Sequence, residues 1–246
     1  RHTLSVFLAG TLVCEVFLPG KVLCWGADTP GAARLCQRFY NRYQFATLYN
    51  TNHRIAVYSA YRFQPSNGGG REKRWVVEPQ FIFPPSLWGA EMKDGYWLGK
   101  DHPGVYLGER QALNEDYTHS GLDRGHLNPN GHHASMVPQN PKLNQNVWVR
   151  HESQLTDLFK AQCAQACMLV GAIPSTDNWI VKNNVRCVNI PEYIWNAYCC
   201  VDNNGKPVHS GVDQHSLLEL NGFLQQFSKA PTGDLFHNNC QAVTEK

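Results

Sequence analysis

Residues 121–129 read Gly-Leu-Asp-Arg-Gly-His-Leu-Asn-Pro, and residues 137–152 read Val-Pro-Gln-Asn-Pro-Lys-Leu-Asn-Gln-Asn-Val-Trp-Val-Arg-His-Glu. The first run packs an acid, a guanidinium, a glycine and an imidazole into four consecutive positions, 123 to 126. His126 can take a proton from water near neutral pH, and Arg124 can grip phosphate oxygens with a planar fork. Asp123 can orient either of them, and Gly125 lets backbone approach closely. A lone His in a polar turn would need no such chemistry, but the four groups together are the parts of a phosphate-cleaving site.

The second run opens a helix. Over 141–162, Leu143, Val147, His151, Leu155 and Phe159 recur every four residues, with Pro141 near the first turn. Val147 and Trp148 read as core side chains. Upstream, 53–63 alternates with β-branched and aromatic residues as a strand does. The spacing of Leu35, Phe39 and Tyr43 predicts a short helix over 34–43. Further strands are predicted at 168–172, 185–190 and 193–201, and a further helix at 217–227. Strands on both sides of a central helix make the fold class α+β, without an internal repeat. No Gly- or Pro-rich break is long enough for an interdomain linker, so residues 1–246 are expected to form one domain.

Composition narrows the function. Lys and Arg number 22 against 20 for Asp and Glu, a net charge of +2, so phosphate recognition must be local rather than a bulk polycationic property. Nine cysteines without paired Cys-x-x-Cys spacing point to an oxidising compartment, hence to a secreted protein, and leave one to stay free or pair elsewhere. Their pairing stays open. No apolar run reaches eighteen residues, so no membrane-spanning helix is expected. Residues 1–13 are basic and then mostly apolar or small, which fits either the remnant of a secretory signal or a first strand in an N-terminal extension.

The motif pair, with Asp-Arg-Gly-His, then Pro-Gln, an Asn five residues after the Gln and a Glu eight residues further on, resembles the DNA/RNA non-specific endonucleases of the ββα-metal superfamily, the His-Me finger nucleases. Tyr-Ser-Ala-Tyr at 58–61, Trp75 with Glu78-Pro79-Gln80, Val-Gly-Ala at 170–172, and Asn189 to Trp195 extend the likeness toward the endonuclease domain-containing 1 branch, over about 36–240. The resemblance implies a hydrolase that cuts phosphodiester bonds of DNA and RNA. It makes His126 the general base and Asn144 the side chain that holds a single divalent cation, Mg2+ or another such as Mn2+. One neutral amide ligand suits magnesium, which sheds water reluctantly. Glu152 falls on a carboxylate that steadies metal-bound water; at about 1.5 Å per residue it lies about 12 Å along the helix from Asn144, which places it outside direct ligation. Arg124 and Gln139 are expected to line the site, Arg124 on phosphate and Gln139 as a positioning group, with Asp123 beside them. Lys73 and Arg74, beside Trp75, are the candidate substrate-binding cations, because the family carries an Arg near this tryptophan.

The pattern departs from the family in one stretch. Only twelve residues separate His126 from Gln139, where the family has a longer stretch with a strand that ends in an Asn; Ser135 stands in the place of that Asn, and the strand before it is expected to be absent. Thr156 likewise stands where relatives carry a basic residue. These departures keep open a second reading, a secreted protein with the nuclease fold but impaired catalysis that acts by binding or scaffolding. A third, a zinc module on His126, His132 and His133, lacks cysteines at ligand spacing. Nucleic acid is the expected partner, and the oligomeric state is left open.

Overall fold

The computed structural model describes residues 30–39, 41–63, 76–83, 91–128, 136–216 and 225–226. Its frame is a seven-stranded sheet in which every neighbouring pair is antiparallel. The order across the sheet is β1 (Ala32–Phe39), β2 (Arg42–Asn50), β3 (Ile55–Arg62), β8 (Gln165–Ile173), β11 (Tyr193–Val201), β12 (Pro207–Ser216) and β13 (Gln225–Gln226). Three two-stranded ribbons complete the strands: β4 (Val76–Val77) with β5 (Lys93–Asp94), β6 (Asp123–His126) with β7 (Met136–Gln139), and β9 (Trp179–Lys182) with β10 (Val185–Asn189). Helix α1 spans Gly95–Asp101, the single turn α2 spans Asn114–Tyr117, and α3 spans Val149–Gln162 after a π-helical stretch at Leu143–Trp148.

The strands predicted at 53–63, 168–172, 185–190 and 193–201 are present as β3, β8, β10 and β11. The helix predicted over 34–43 is not. Those residues form β1, a turn at Asn41 with φ +60°, and the start of β2. A four-residue spacing is also an even one, so Leu35 and Phe39 fit one face of a strand as well as one face of a helix. Burial on both faces of the strand, with Leu35 in one apolar cluster and Cys36 in another, hid the period of two that would have decided it. Within the helix predicted at 217–227, Gln225 and Gln226 instead pair with Gln214 and Asp213; the rest of that segment, and residues 1–13, lie outside the described residues.

The two faces of the sheet carry different clusters. Met168, Val170, Ala172, Ile194 and Tyr198 join Leu155 and Phe159 of α3 on one face, whereas Leu169, Trp195, Ala197 and Tyr58 lie on the other. Phe159 meets Tyr198 and Phe63 at ring separations of 5.2 and 5.1 Å. The predicted stripe holds for Leu143, His151, Leu155 and Phe159, all buried, but Trp148 takes the deep position rather than Val147, which is only partly buried. The π-helical turn supplies the reason, since it widens one turn by a residue and makes Leu143 and Trp148, five apart, successive members of the stripe. Beyond α3, Cys163 is joined by a disulfide to Cys200 of β11, so the helix exit is bonded to the sheet it covers. Cys36 and Cys199 are disulfide-bonded too, whereas Cys167 and Cys187 are free.

One buried acid sets a pH dependence. Glu78 is 3% exposed, and burial pushes its carboxyl up to about 7 against the opposing hydrogen bonds from Gln80 and Gln37. The fold therefore favours the neutral acid. Its stabilising contribution is fully present below about pH 4.5, where the unfolded group is also protonated, and is lost as pH rises to about 7. The loss is about 3 kcal/mol, or roughly 6–12 °C in melting temperature for a domain of this size. Thermal melts from pH 4.5 to 7.5 check this: Glu78→Gln, which cannot ionise, should remove that component, and equal pH slopes in both proteins would exclude it.

Candidate active site

Strands β6 and β7 pair in the register Asp123 to Gln139, Arg124 to Pro138, Gly125 to Val137 and His126 to Met136, and the chain passes from β7 directly into the helix over 141–162. The place of the strand expected to be absent, which ends at Ser135, lies outside the described residues; β7 begins after it, at Met136. Four residues on each side suffice for the ladder, because the motif needs a hairpin and not a long one. Residues 129–135, with Ser135, His132 and His133, lie outside the described residues, as do Lys73 and Arg74.

Side chains two apart on a strand share a face, so Arg124 goes with His126 and Asp123 with Gly125. Over the Asp123 face sits the start of the helix. Asn140 accepts a hydrogen bond from the Lys142 amide at 2.9 Å on its side-chain oxygen and so serves as the cap, which frees Asn144 from that role. Asn144 Nδ2 and Gln145 Nε2 each donate to Asp123 Oδ2 at 2.9 Å. A carboxylate oxygen only accepts, so Asn144 must turn its amide nitrogen to Asp123, and its Oδ1 is directed away from the carboxylate. Both residues lie in or beside the π-helical turn, which sets adjacent side chains on one acceptor.

Gly125 is required by packing. A Cβ there would lie 2.0 Å from Gln139 Cδ. Gln139 is fully buried, and neither of its amide atoms has a hydrogen-bond partner. It was expected to line the site but does not reach solvent; its side chain folds over Gly125 and fills the space between hairpin and core. Gly125→Ala is expected to cost about 1–3 kcal/mol by overpacking, measured by urea denaturation, with part of the loss recovered in Gly125→Ala/Gln139→Ala. Equal stability of Gly125→Ala and the wild type would overturn this packing account.

Asp123, Arg124 and Asn144 converge on one open cleft of about 460 Å³, whose other walls are Asn114, Tyr117, Thr118 and Leu122. Arg124 Nη1 donates to Asn114 Oδ1 at 2.8 Å, which fixes the guanidinium at the start of α2. Tyr117 is 6% exposed, and its hydroxyl has no hydrogen-bond partner. Burial pushes that hydroxyl well above 10, and the nearby charges of Arg54 and Arg124 oppose the rise, so it stays a neutral donor at any physiological pH. His126 is half-buried on β6, two residues from Arg124, and is not among the walls of this cleft.

Glu152 stands apart. It borders a smaller cavity between α3 and the sheet, with Tyr61, His151, Thr156 and Asn196, and is not among the walls of the Asn144 cleft. Its charge adds to the burial that raises the Tyr61 hydroxyl. His151 is buried there, its Nε2 at 2.8 Å from Asn196 Oδ1, so this member of the helical stripe is a hydrogen-bonded core histidine. Sequence reading missed Asn114, Tyr117, Asn140 and Gln145; only Asn140 carried a signal, as a capping residue immediately before a helical proline.

A divalent cation fits this donor set in one respect. Among the described residues no group of three or more His, Cys, Asp or Glu could hold a metal, so an ion here would rest on the Asn144 oxygen, which Asp123 orients through the amide nitrogen, with water elsewhere.

The family model for DNA/RNA non-specific endonucleases matches residues 29–234. The chain belongs to that family. It is 31% identical over 205 residues to the endonuclease domain-containing 1 proteins of Homo sapiens and Mus musculus, a match that covers 78% of this chain and 39% of each relative. The chain thus matches well under half the length of either. Its likeness to a chain in the crystal structure of the EndoG/EndoGI complex covers 71% of both chains at 15% identity and a TM-score of 0.48, too slight to carry an argument. Within the endonuclease family, Asp123 to His126 followed by β7 and the helix is a hairpin-and-helix unit, the two strands and one helix from which the ββα fold takes its name.

Proposed function

We propose that this chain hydrolyses phosphodiester bonds of DNA and RNA with little sequence preference, with His126 as general base and a divalent cation, Mg2+ or Mn2+, on Asn144. The observation that carries the reading is the meeting of Asp123, Arg124 and Asn144 in one cleft, on a hairpin that also bears His126. His126 takes a proton from water, whose oxygen attacks phosphorus. Arg124, held by Asn114, binds a non-bridging phosphate oxygen. Asp123 holds the Asn144 amide in one orientation. When bound, the cation supplies positive charge that offsets the charge gathering on the phosphate and the departing oxygen. Breakage of the bond to the 3′ oxygen leaves 5′-phosphate and 3′-hydroxyl ends. Contacts confined to phosphate and sugar account for weak sequence preference. The disulfides support secretion into an oxidising compartment.

The test is plasmid nicking with Mg2+ and with EDTA. Nicking in Mg2+ that stops in EDTA is the expected result. No nicking under either condition would favour the binding or scaffolding reading.

A further inference from the structure

Beyond the cleft, the β9–β10 hairpin carries a cationic and aromatic group that the catalytic reading does not use. Lys182, the last residue of β9, donates from Nζ to the backbone oxygen of Glu115 in α2. The Thr118 amide donates to that same oxygen at 3.3 Å, and Thr118 is a wall of the cleft. The preceding residue of α2, Asn114, holds Arg124. Lys182 and Arg124 are therefore moored to successive residues of one helical turn, and the ammonium shares its acceptor with the amide of a cleft wall residue, Thr118.

The hairpin continues outward from that point. Arg186 pairs across the ribbon with Val181, and its guanidinium lies 5.5 Å from the centre of the Trp179 ring. Arg186 is exposed, whereas Lys182 and Trp179 are half-buried. Asn183 and Asn184 make the connecting turn, both with positive φ (+50° and +61°), a tight two-residue turn that holds the two arms in fixed register. The acids on these elements are Glu115, exposed on α2, Asp116, which is ion-paired with Arg54, and Asp177, which accepts from the Thr176 hydroxyl at 3.1 Å. Lys182, moored beside the Arg124 anchor, and Arg186, over a Trp179 ring that also meets His53 at 5.4 Å, give the hairpin two cations and an indole, the groups that take a phosphate backbone and an unstacked base.

We propose that Lys182, Arg186 and Trp179 form a substrate track that binds the nucleic-acid strand where it leaves the cleft, Lys182 and Arg186 on successive phosphates and Trp179 under a base. The inference rests on the nuclease reading and extends it to residues outside the motif. Because the track makes no contact with the reacting phosphate, it should act on binding and on KM more than on kcat.

The experiment uses a fluorescein-labelled single-stranded oligonucleotide in EDTA, so that binding is measured without cleavage, across a series of salt concentrations. Lys182→Gln/Arg186→Gln is expected to weaken binding about 5- to 20-fold near 0.1 M salt. The slope of log affinity against log salt should fall by about 1.4, two single-strand phosphate contacts at roughly 0.7 each. Trp179→Ala should weaken binding about 5- to 50-fold with little change of slope, on the scale of base stacking. A wild type that binds and nicks, beside a folded double variant with unchanged affinity and slope, overturns the track and leaves the nuclease reading intact. A wild type that neither binds nor nicks overturns both.

Discussion

His126→Ala is expected to lower Mg2+-dependent plasmid nicking by about 10²- to 10⁴-fold, the range that a positioned general base contributes. No group that lines the cleft can substitute for it near neutral pH. Arg124 is permanently charged, the Tyr117 hydroxyl is held well above 10, and Asp123 already accepts two amide hydrogens on one oxygen. The loss should fall on kcat, because phosphate binding by Arg124 survives the substitution, and the melting temperature should stay near that of the wild type because His126 is only half-buried. Metal-dependent nicking at an undiminished rate in His126→Ala would remove the imidazole from the mechanism.

The parts of this site that the sequence made legible are those whose residue types are unusual side by side. Asp123, Arg124, Gly125 and His126 announce chemistry because a solvated turn rarely needs all four at once, and the helix was legible because Leu143, His151, Leu155 and Phe159 repeat at its period. Reading failed where a period was ambiguous or where a partner is distant in sequence. Leu35 and Phe39 satisfy both helix and strand spacing, and burial on both faces of β1 hides the alternation that would decide between them. The π-helical turn moved the deep position from Val147 to Trp148, a shift of one residue that no four-residue template contains. Gln139 is legible as a motif position, yet its role as packing over Gly125 depends on the cross-strand register of a hairpin that the count of residues seemed too short to allow. Asn114 and Tyr117 belong to the cleft through folding of α2 beside β6, and nothing in their local sequence marks them.

Arg54→Ala is expected to destabilise the protein by about 3–5 kcal/mol, roughly 6–20 °C in melting temperature, and to lower nicking in the folded fraction as well. Arg54 follows β2 in a left-handed conformation, φ +56°, and reaches three places at once. Its Nη2 meets Asp116 Oδ2 at 2.6 Å, Nε and Nη2 donate to the Gln111 backbone oxygen at 3.0 and 2.8 Å, and Nη1 donates to the Cys187 oxygen at 2.9 Å. Both charged side chains are largely buried, at 11% and 7% exposure, so removal of the cation leaves an uncompensated carboxylate and two carbonyls without their donors. The Asp116 carboxylate also caps the Leu113 amide at 2.7 Å, and Asn114, which positions Arg124, is the next residue. The ion pair therefore fixes the approach to α2 from the far side of the cleft. A double variant, Arg54→Met/Asp116→Leu, removes both charges together and should recover most of the stability, because the cost lies in the stranded charge more than in the lost attraction. Its nicking should remain below wild type, since the two variants share a loosened Asn114 and Arg124 but differ in buried charge. If Arg54→Ala melts within about 2 °C of the wild type, the cluster is not buried in solution as it is here, and this link between scaffold and cleft fails.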